Sequence, residues 1–266
     1  MSLAHDLESL AIDIAREAGE LARNRREAGV AIAATKSAIA DIVTEADREV
    51  EATIRARLAA ARPDDGFLGE ETGAERGTSG ITWVVDPIDG TVNYAYGIPT
   101  YSVSIAAVRG EPTPGEWEAL AAAVFHPAVD EMFHAAAGEG AWLGGQRLAV
   151  SAEIGPAGAL LATGFGYDPE THAGDLERVG RVMPLARDLR RGGSAALDLS
   201  YVAAGRLDGY FERGLQPWDL AAGSLLVSEA GGRFARGADD GSRRSPLVVA
   251  AAPGLFDELA AAAGLG

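Results

Sequence analysis

A layered α/β or α+β fold is predicted for this chain of 266 residues. Three features carry the prediction: an amphipathic helix at the start of the chain, apolar or alternating runs of strand length, and the interleaving of helices and strands along the whole chain. In the first helix Leu3, Leu7, Leu10, Ile14, Ala18 and Leu21 recur at three- and four-residue steps with charges between them, which assigns that face to the core. Thr44 stands as the N-cap of a second helix through Ala46, Val50, Ile54 and Leu58, stopped at Pro63. The period then changes. Residues 81–85 form a short apolar run broken by Asp86-Pro87, and 101–105 alternate as a strand does. Two more strands are expected over 117–125 and 131–136, with His126-Pro127 opening the turn between them, so this half reads as a meandering sheet behind two helices. Farther on, strands are predicted at 159–163, 208–212 and 247–251. Helices are predicted at 175–186 and 194–204, from Pro217 onward, and at 255–263.

The composition, 47% hydrophobic and 23% charged, is that of a globular chain able to bury a core. At roughly 150 residues per domain the length fits one large domain or two intimate halves, about 1–150 and 151–266, and no linker separates them. The absence of cysteine excludes disulfides, thiolate metal sites and cysteine nucleophiles, and a cytoplasmic location is expected. The first residues lack the basic and apolar regions of a signal peptide, and no apolar stretch reaches the ~18 residues of a membrane span. A formal charge of −16 repels nucleic acid and anionic lipid, so neither is an expected partner.

Several of the excess carboxylates stand beside turns: Gly69-Glu70-Glu71, Asp86-Pro87-Ile88-Asp89-Gly90-Thr91, Pro217-Trp218-Asp219, and Asp41 with Asp47. The second patch has the most informative context. An apolar strand delivers Asp86 to its C-terminal end, Pro87 blocks continuation, and Asp89-Gly90-Thr91 opens the next element. Ligands bind at such strand ends. Two carboxylates three positions apart across a turn can face one point, and glycine lets the backbone approach an anion. Hard oxygen ligands of this kind suit Mg²⁺ completed by a substrate phosphate. Pro217 in the first turn of a helix, with Asp219 just inside, offers another carboxylate and free N–H groups. The spacing therefore points to a magnesium–phosphate site. A P-loop is absent, and the haloacid-dehalogenase pattern needs its aspartates two apart, whereas Asp86 and Asp89 are three apart.

These residues resemble the inositol monophosphatase family of Mg²⁺-dependent, lithium-sensitive phosphatases. Its D-P-[IL]-D-G-T turn stands here at 86–91 and its W-D-x-A-[AG]-G helix start at 218–223. Supporting pieces follow in the family's order: Lys36-Ser37, the run from Asp41 through Thr44 to Asp47, Gly69-Glu70-Glu71, Gly192-Gly193-Ser194-Ala195-Ala196, and Glu212. The resemblance implies a layered αβαβα sandwich, usually a homodimer. It also implies hydrolysis of myo-inositol monophosphate, with fructose 1,6-bisphosphate, adenosine 3′,5′-bisphosphate and histidinol phosphate as alternatives. A regulatory member acting on transcription proteins is the alternative of another class.

By the same resemblance, Glu70, Asp86 and the Ile88 carbonyl would hold one Mg²⁺, and Asp86, Asp89 and Asp219 a second, with a weaker third ion near Glu70. Glu70 and Thr91 would orient a water for in-line attack, and Asp89, Gly90, Thr91 and Asp219 would also border the substrate. Ser194, Ala195 and Glu212 would meet the leaving group, where a carboxylate accepts hydroxyl hydrogen bonds and repels a second phosphate. Lys36, the one lysine in a chain with 23 basic residues, stands inside a motif, although a surface lysine is the plain alternative. Asp41 and Asp47 are read as supports for Lys36 or a water, or as helix N-terminal acids. Glu71 is either a partner of the site or a helix-face charge. Arg190 and Arg191 face phosphate, a second subunit or solvent. The four histidines show no metal-ligand spacing, Trp83 and Trp142 are expected in the core, and Trp218 under the site.

Overall fold

The structure, a computed structural model, describes residues 2–29, 32–35, 42–113, 116–152, 154–155, 158–238 and 246–265. Helix α1 (Leu3–Ala28) starts where the Ser2 side chain accepts the His5 N–H. Its buried stripe is Leu7, Ala11, Ile14, Ala15, Ala18 and Ala22, whereas Leu3 in the first turn stays 43% exposed. After β1 (Ile32–Thr35) and β2 (Ile42–Thr44), which pair antiparallel, α2 (Glu45–Ala61) opens with a capping box between Thr44 and Asp47. It buries Ala46, Val50, Ile54 and Leu58, as the periodicity predicts, and stops at Arg62, before Pro63.

The next segment builds β3 (Gly66–Gly69), β4 (Gly73–Glu75), β5 (Ile81–Asp89), α3 (Thr91–Tyr96) and β6 (Ser102–Gly110). It continues through β7 (Trp117–His126), β8 (Glu131–Ala136), β9 (Gly140–Leu143) and β10 (Gln146–Arg147). Their sheet has the order β10-β9-β8-β7-β6-β5-β3-β4, an antiparallel meander from β5 onward with β3 parallel to β5 at the other side. Successive residues of one strand serve two cores: Trp83 and Val85 pack toward α1 and α2, while Val84 packs on the opposite face. Trp83 is fully buried, as expected, but Trp142 is only half-buried beneath the Arg147 guanidinium.

The second sheet holds β11 (Ala159–Thr163), β12 (Ala186–Arg190), β13 (Gly209–Glu212), β14 (Arg233–Arg236) and β15 (Val248–Ala251) in the order β12-β11-β13-β15-β14. Helices α4 (His172–Val182) and α7 (Pro253–Ala263) cover one of its faces through Val182, Leu255, Phe256 and Leu259. Helices α5 (Ala195–Ala203) and α6 (Pro217–Glu229) fill the space between the two sheets, sharing one core with Val84, Val124 and Phe133 from the first and Ala162, Tyr210 and Ala250 from the second. The layers therefore run α1/α2, sheet, α5/α6, sheet, α4/α7, the predicted αβαβα sandwich.

One helix is corrected. The segment expected to be helical over 175–186 is helical from His172 to Val182, and a 3₁₀ turn at Met183–Leu185 then feeds the edge strand β12. Pro184 cannot continue the helical ladder, and the charged, exposed Arg187, Asp188 and Arg190 suit an edge strand. Among the described residues no helix is long and apolar enough to cross a membrane.

Candidate active site

The site begins with a bulge. Asp86 pairs with Ser104 and Asp89 with Ser102, so β5 carries one residue more than β6 over this stretch. Pro87 therefore does not end the strand, as its chemistry suggests; it sits with Ile88 in the bulge, and the strand runs on to Asp89. The Ile88 N–H donates to Asp86 Oδ1 at 3.1 Å. Gly90 follows with φ +97°, where a Cβ would meet the Thr100 carbonyl at 2.9 Å, so glycine alone fits before α3 begins.

The two aspartates of the bulge meet a third. Ligand oxygens of Asp86, Asp89 and Asp219 all lie within 4.8 Å of one another. Asp219 is brought there by α6, where Pro217 takes the first position and the Gln216 N–H donates to Asp219 Oδ2 at 2.7 Å in a capping box. Asp89 is gripped from α5: the Ser194 hydroxyl and the Ala196 N–H donate to its Oδ2 at 2.5 and 2.7 Å, and the Ala195 N–H to its Oδ1 at 3.3 Å. Glu70 follows β3, whose parallel pairing with β5 sets Gly69 beside Val85, and the Glu70 N–H donates to the Val85 carbonyl at 3.3 Å.

Electrostatics decides what this cluster can do. Burial and the charges of Glu70, Asp89, Asp219 and Asp47 push the Asp86 carboxyl well above the ordinary range. Burial and the charges of Asp89, Glu70 and Glu212 do the same to Asp219 against the Gln216 N–H. Burial raises Asp89 to about 6 even with its three donors. Charge-assisted bonds contribute ~1.5–3 kcal/mol each, but desolvation and repulsion prevail. A divalent cation is what relieves such a cluster, and this donor set of two buried carboxylates and a half-buried one fits one.

Behind the trio, Asp47 is fully buried, and its Oδ2 accepts from the Thr44 N–H at 2.7 Å and from the Thr44 hydroxyl. Burial raises its pKa, opposed by the Thr44 bonds. The Thr91 hydroxyl lies 3.1 Å from Asp47 Oδ1 and 3.0 Å from the Ile88 carbonyl. Asp47 thus both caps α2 and holds Thr91. Glu71 belongs to a turn, which corrects the helix-face reading, and its N–H donates at 2.8 Å to Glu51 on α2. A Cβ at Gly69 would collide with that same Glu51 carboxylate. Lys36, Ser37 and Asp41 lie outside the described residues.

A cavity of about 550 Å³ opens over the cluster, lined by Glu70, Asp86, Ile88, Asp89, Gly90, Thr91 and Asp219 together with Ser194, Ala195, Glu212 and Trp218. Glu212 ends β13, accepts the Tyr210 hydroxyl at 2.5 Å, and is pushed to about 7 by burial. A side chain at Gly164 would overlap its carboxylate. Arg191 lines the cavity, whereas Arg190 pairs with Asp188 on the surface. Asn93 joins the walls by donating to the Thr100 and Gly192 carbonyls at 2.7 and 2.9 Å. The sequence reading missed Phe165, Tyr167, Thr171, Asp175 and Arg213, all of which line the cavity. Gly164 and Gly166 just beyond a predicted strand were the available signal. None of the four histidines lines it.

The model of the inositol monophosphatase family matches residues 4–263. The chain belongs to that family. It is 43% identical to the inositol-1-monophosphatase SuhB of Mycobacterium tuberculosis over 96% of this chain and 92% of that protein. It is 41% identical to the Nus factor SuhB of Escherichia coli K12 over 86% of this chain and 84% of that one. Among solved structures it resembles the extragenic suppressor protein suhB from Bartonella henselae, with a TM-score of 0.87, 34% identity and coverage of 98% and 99%. The inositol monophosphatase family is a family of metal-dependent phosphatases, and the three convergent aspartates of this member are a group that could hold a metal.

Proposed function

We propose that the protein is a Mg²⁺-dependent phosphomonoesterase acting on myo-inositol 1-phosphate, releasing inositol and phosphate. The convergence of Asp86, Asp89 and Asp219 within 4.8 Å at the floor of a cavity carries this reading. Glu70, Asp86 and the Ile88 carbonyl would hold one ion and Asp86, Asp89 and Asp219 another. When bound, Mg²⁺ supplies positive charge that neutralises the transferring phosphoryl group and the leaving oxygen. A chain of net charge −16 has to reverse its local field to accept a dianion, and this site is built for that reversal.

The chain's own groups do the positioning. Glu70 and Thr91 orient the attacking water, while Asp47 fixes the Thr91 hydroxyl. The N-terminal end of α5 holds Asp89 still through three donors. Glu212 accepts hydrogen bonds from leaving-group hydroxyls and disfavours a second phosphate, which selects cyclitol or sugar monophosphates over bisphosphates. We further infer a single catalytic unit in which halves 1–150 and 151–266 share the site, acting as a cytoplasmic homodimer.

The test is phosphate release from inositol 1-phosphate, fructose 1,6-bisphosphate, adenosine 3′,5′-bisphosphate and histidinol phosphate, with Mg²⁺ and with EDTA. Preference for inositol 1-phosphate in Mg²⁺ alone is expected; preference for a bisphosphate overturns the substrate assignment. The E. coli relative is named a Nus factor, which favours a regulatory role as the second reading. Recovery of transcription proteins by wild type and Asp219→Asn alike, with no turnover by wild type, would put that role first.

A further inference from the structure

Two glycine turns meet beside Asp89. Gly90 has φ +97° and Gly193 φ +88°, and a Cβ on Gly90 would stand 3.1 Å from the Gly193 carbonyl and 2.9 Å from that of Thr100. Each turn opens a helix that bears on the same carboxylate. Gly90 follows Asp89 directly and caps α3, while Gly193 leads into Ser194, Ala195 and Ala196, the three residues of the α5 start that donate to the Asp89 oxygens. Glycines bring no side chain with which to hold each other, so another group has to set the separation of the two turns.

Asn93 is that group. It belongs to α3, is 7% exposed, and its amide nitrogen donates to the Thr100 carbonyl at 2.7 Å and to the Gly192 carbonyl at 2.9 Å. Both acceptors are carbonyls, so the residue type is dictated: the carboxamide NH₂ carries two donors, aspartate would set oxygen against oxygen, and serine has one donor. A Cβ on Gly193 would lie 2.8 Å from the same nitrogen, which explains the glycine on the facing turn. The Asn93 carbonyl also accepts the Ile98 N–H at 2.9 Å, so the loop that carries Thr100 is closed on this residue from both sides. The other described link from the first sheet to the α5 start is a contact of 3.3 Å between the Ser102 and Ser194 hydroxyls. Asn93 itself does not line the cavity.

We propose that Asn93 is a positioning residue for Asp89: by tying Gly192 to α3 it keeps the donors of Ser194, Ala195 and Ala196 in register with the Asp89 carboxylate. This rests on the reading of the three aspartates as ligands of a divalent cation. Groups that orient a ligating carboxylate without touching the ion typically change metal affinity by roughly 10–100-fold when removed. Asn93 therefore acts on cation affinity rather than on contact with substrate.

The experiment is calorimetric titration of Mg²⁺, without substrate, into wild type, Asn93→Ala, Ser194→Ala and the double variant, with Tm of each measured in EDTA. Asn93→Ala should raise the Mg²⁺ dissociation constant about tenfold. Because both changes act on the grip of α5 on Asp89, the double variant should be weakened by less than the product of the two single effects. Asn93→Ser, which leaves one donor, should raise the constant about threefold and carries the test if the alanine variant does not fold. Unchanged Mg²⁺ affinity in Asn93→Ser and in any folded Asn93→Ala, with Tm alone lowered, overturns the proposal, as do single effects that multiply in the double variant. Wild type that takes up no Mg²⁺ overturns the cation reading of the aspartates and the role of Asn93 with it.

Discussion

The two ends of the cavity are built in opposite ways. At the metal end, Asp86 and Asp89 come from one bulge and Asp219 from one helix cap, held locally by the N–H groups of Ile88 and Gln216 and, from the start of α5, by the Ser194 hydroxyl and the N–H groups of Ala195 and Ala196. At the leaving-group end, Gly164, Asp175 and Glu212 arrive from separate loops and elements. The difference teaches that each aspartate of the metal end is fixed by hydrogen bonds from its own framework, while the other end is assembled from elements far apart in the chain. Chemistry common to many phosphate esters belongs in the first, and selection among them in the second.

The sharpest way to break this contrast is Asp86→Asn. It should lower kcat by roughly a thousandfold or more, as loss of a group that stabilises the transition state electrostatically does, with a circular dichroism spectrum like that of wild type. Near-normal turnover would remove Asp86 from the site. Next in size, Glu51→Ala should raise the Mg²⁺ concentration for half-maximal activity by about tenfold, the lower range for a lost supporting contact, because Glu51 pins the turn that carries Glu70. Glu51→Gln keeps an acceptor for the Glu71 N–H and should stay near wild type; equal effects of the two variants would show that charge, not position, is at work.

The smallest effect is in pH. Asp89 at about 6 and Glu212 at about 7 are raised above their unfolded values. Their contribution to stability is therefore present below the unfolded values near 4 and is lost as pH rises through 6 and 7. Metal-free protein should lose Tm between pH 5 and pH 8, and saturating Mg²⁺ should raise Tm more at pH 8 than at pH 5. A Mg²⁺ effect equal at both pH values contradicts the picture of mutually repelling acids.

The same contrast explains what was legible in the sequence. Local devices write themselves into short motifs, so Asp86, Asp89, Asp219, the Thr44 cap and the Pro217 helix start could be read directly, and the long periodic helices and central strands with them. The bulge could not, because Pro87 argues locally for a break while pairing with β6 in the folded sheet carries the strand onward. The strands β3, β4 and β12 show no apolar run, since β3 is bounded by Gly66 and Gly69, β4 is a short exposed piece and β12 alternates charges along an exposed edge, and β3 mattered because it places Glu70. Asp175 was invisible for a different reason: within a helical pattern it looks like any first-turn acid, and only the fold brings it to the cavity wall. Glu71 and Asp47 acquire their roles through tertiary contacts with Glu51 and Thr91 that no spacing announces.

The most direct test of the central claim, that bound divalent cations turn a repelling acidic cluster into a phosphate site, is calorimetric titration of inorganic phosphate into the protein with saturating Mg²⁺ and again in EDTA. Binding with Mg²⁺ and no measurable heat of binding without it is the predicted result. Equal affinity under both conditions would contradict the account, because the phosphate would then be held by the chain's own cations and the three aspartates would have another purpose.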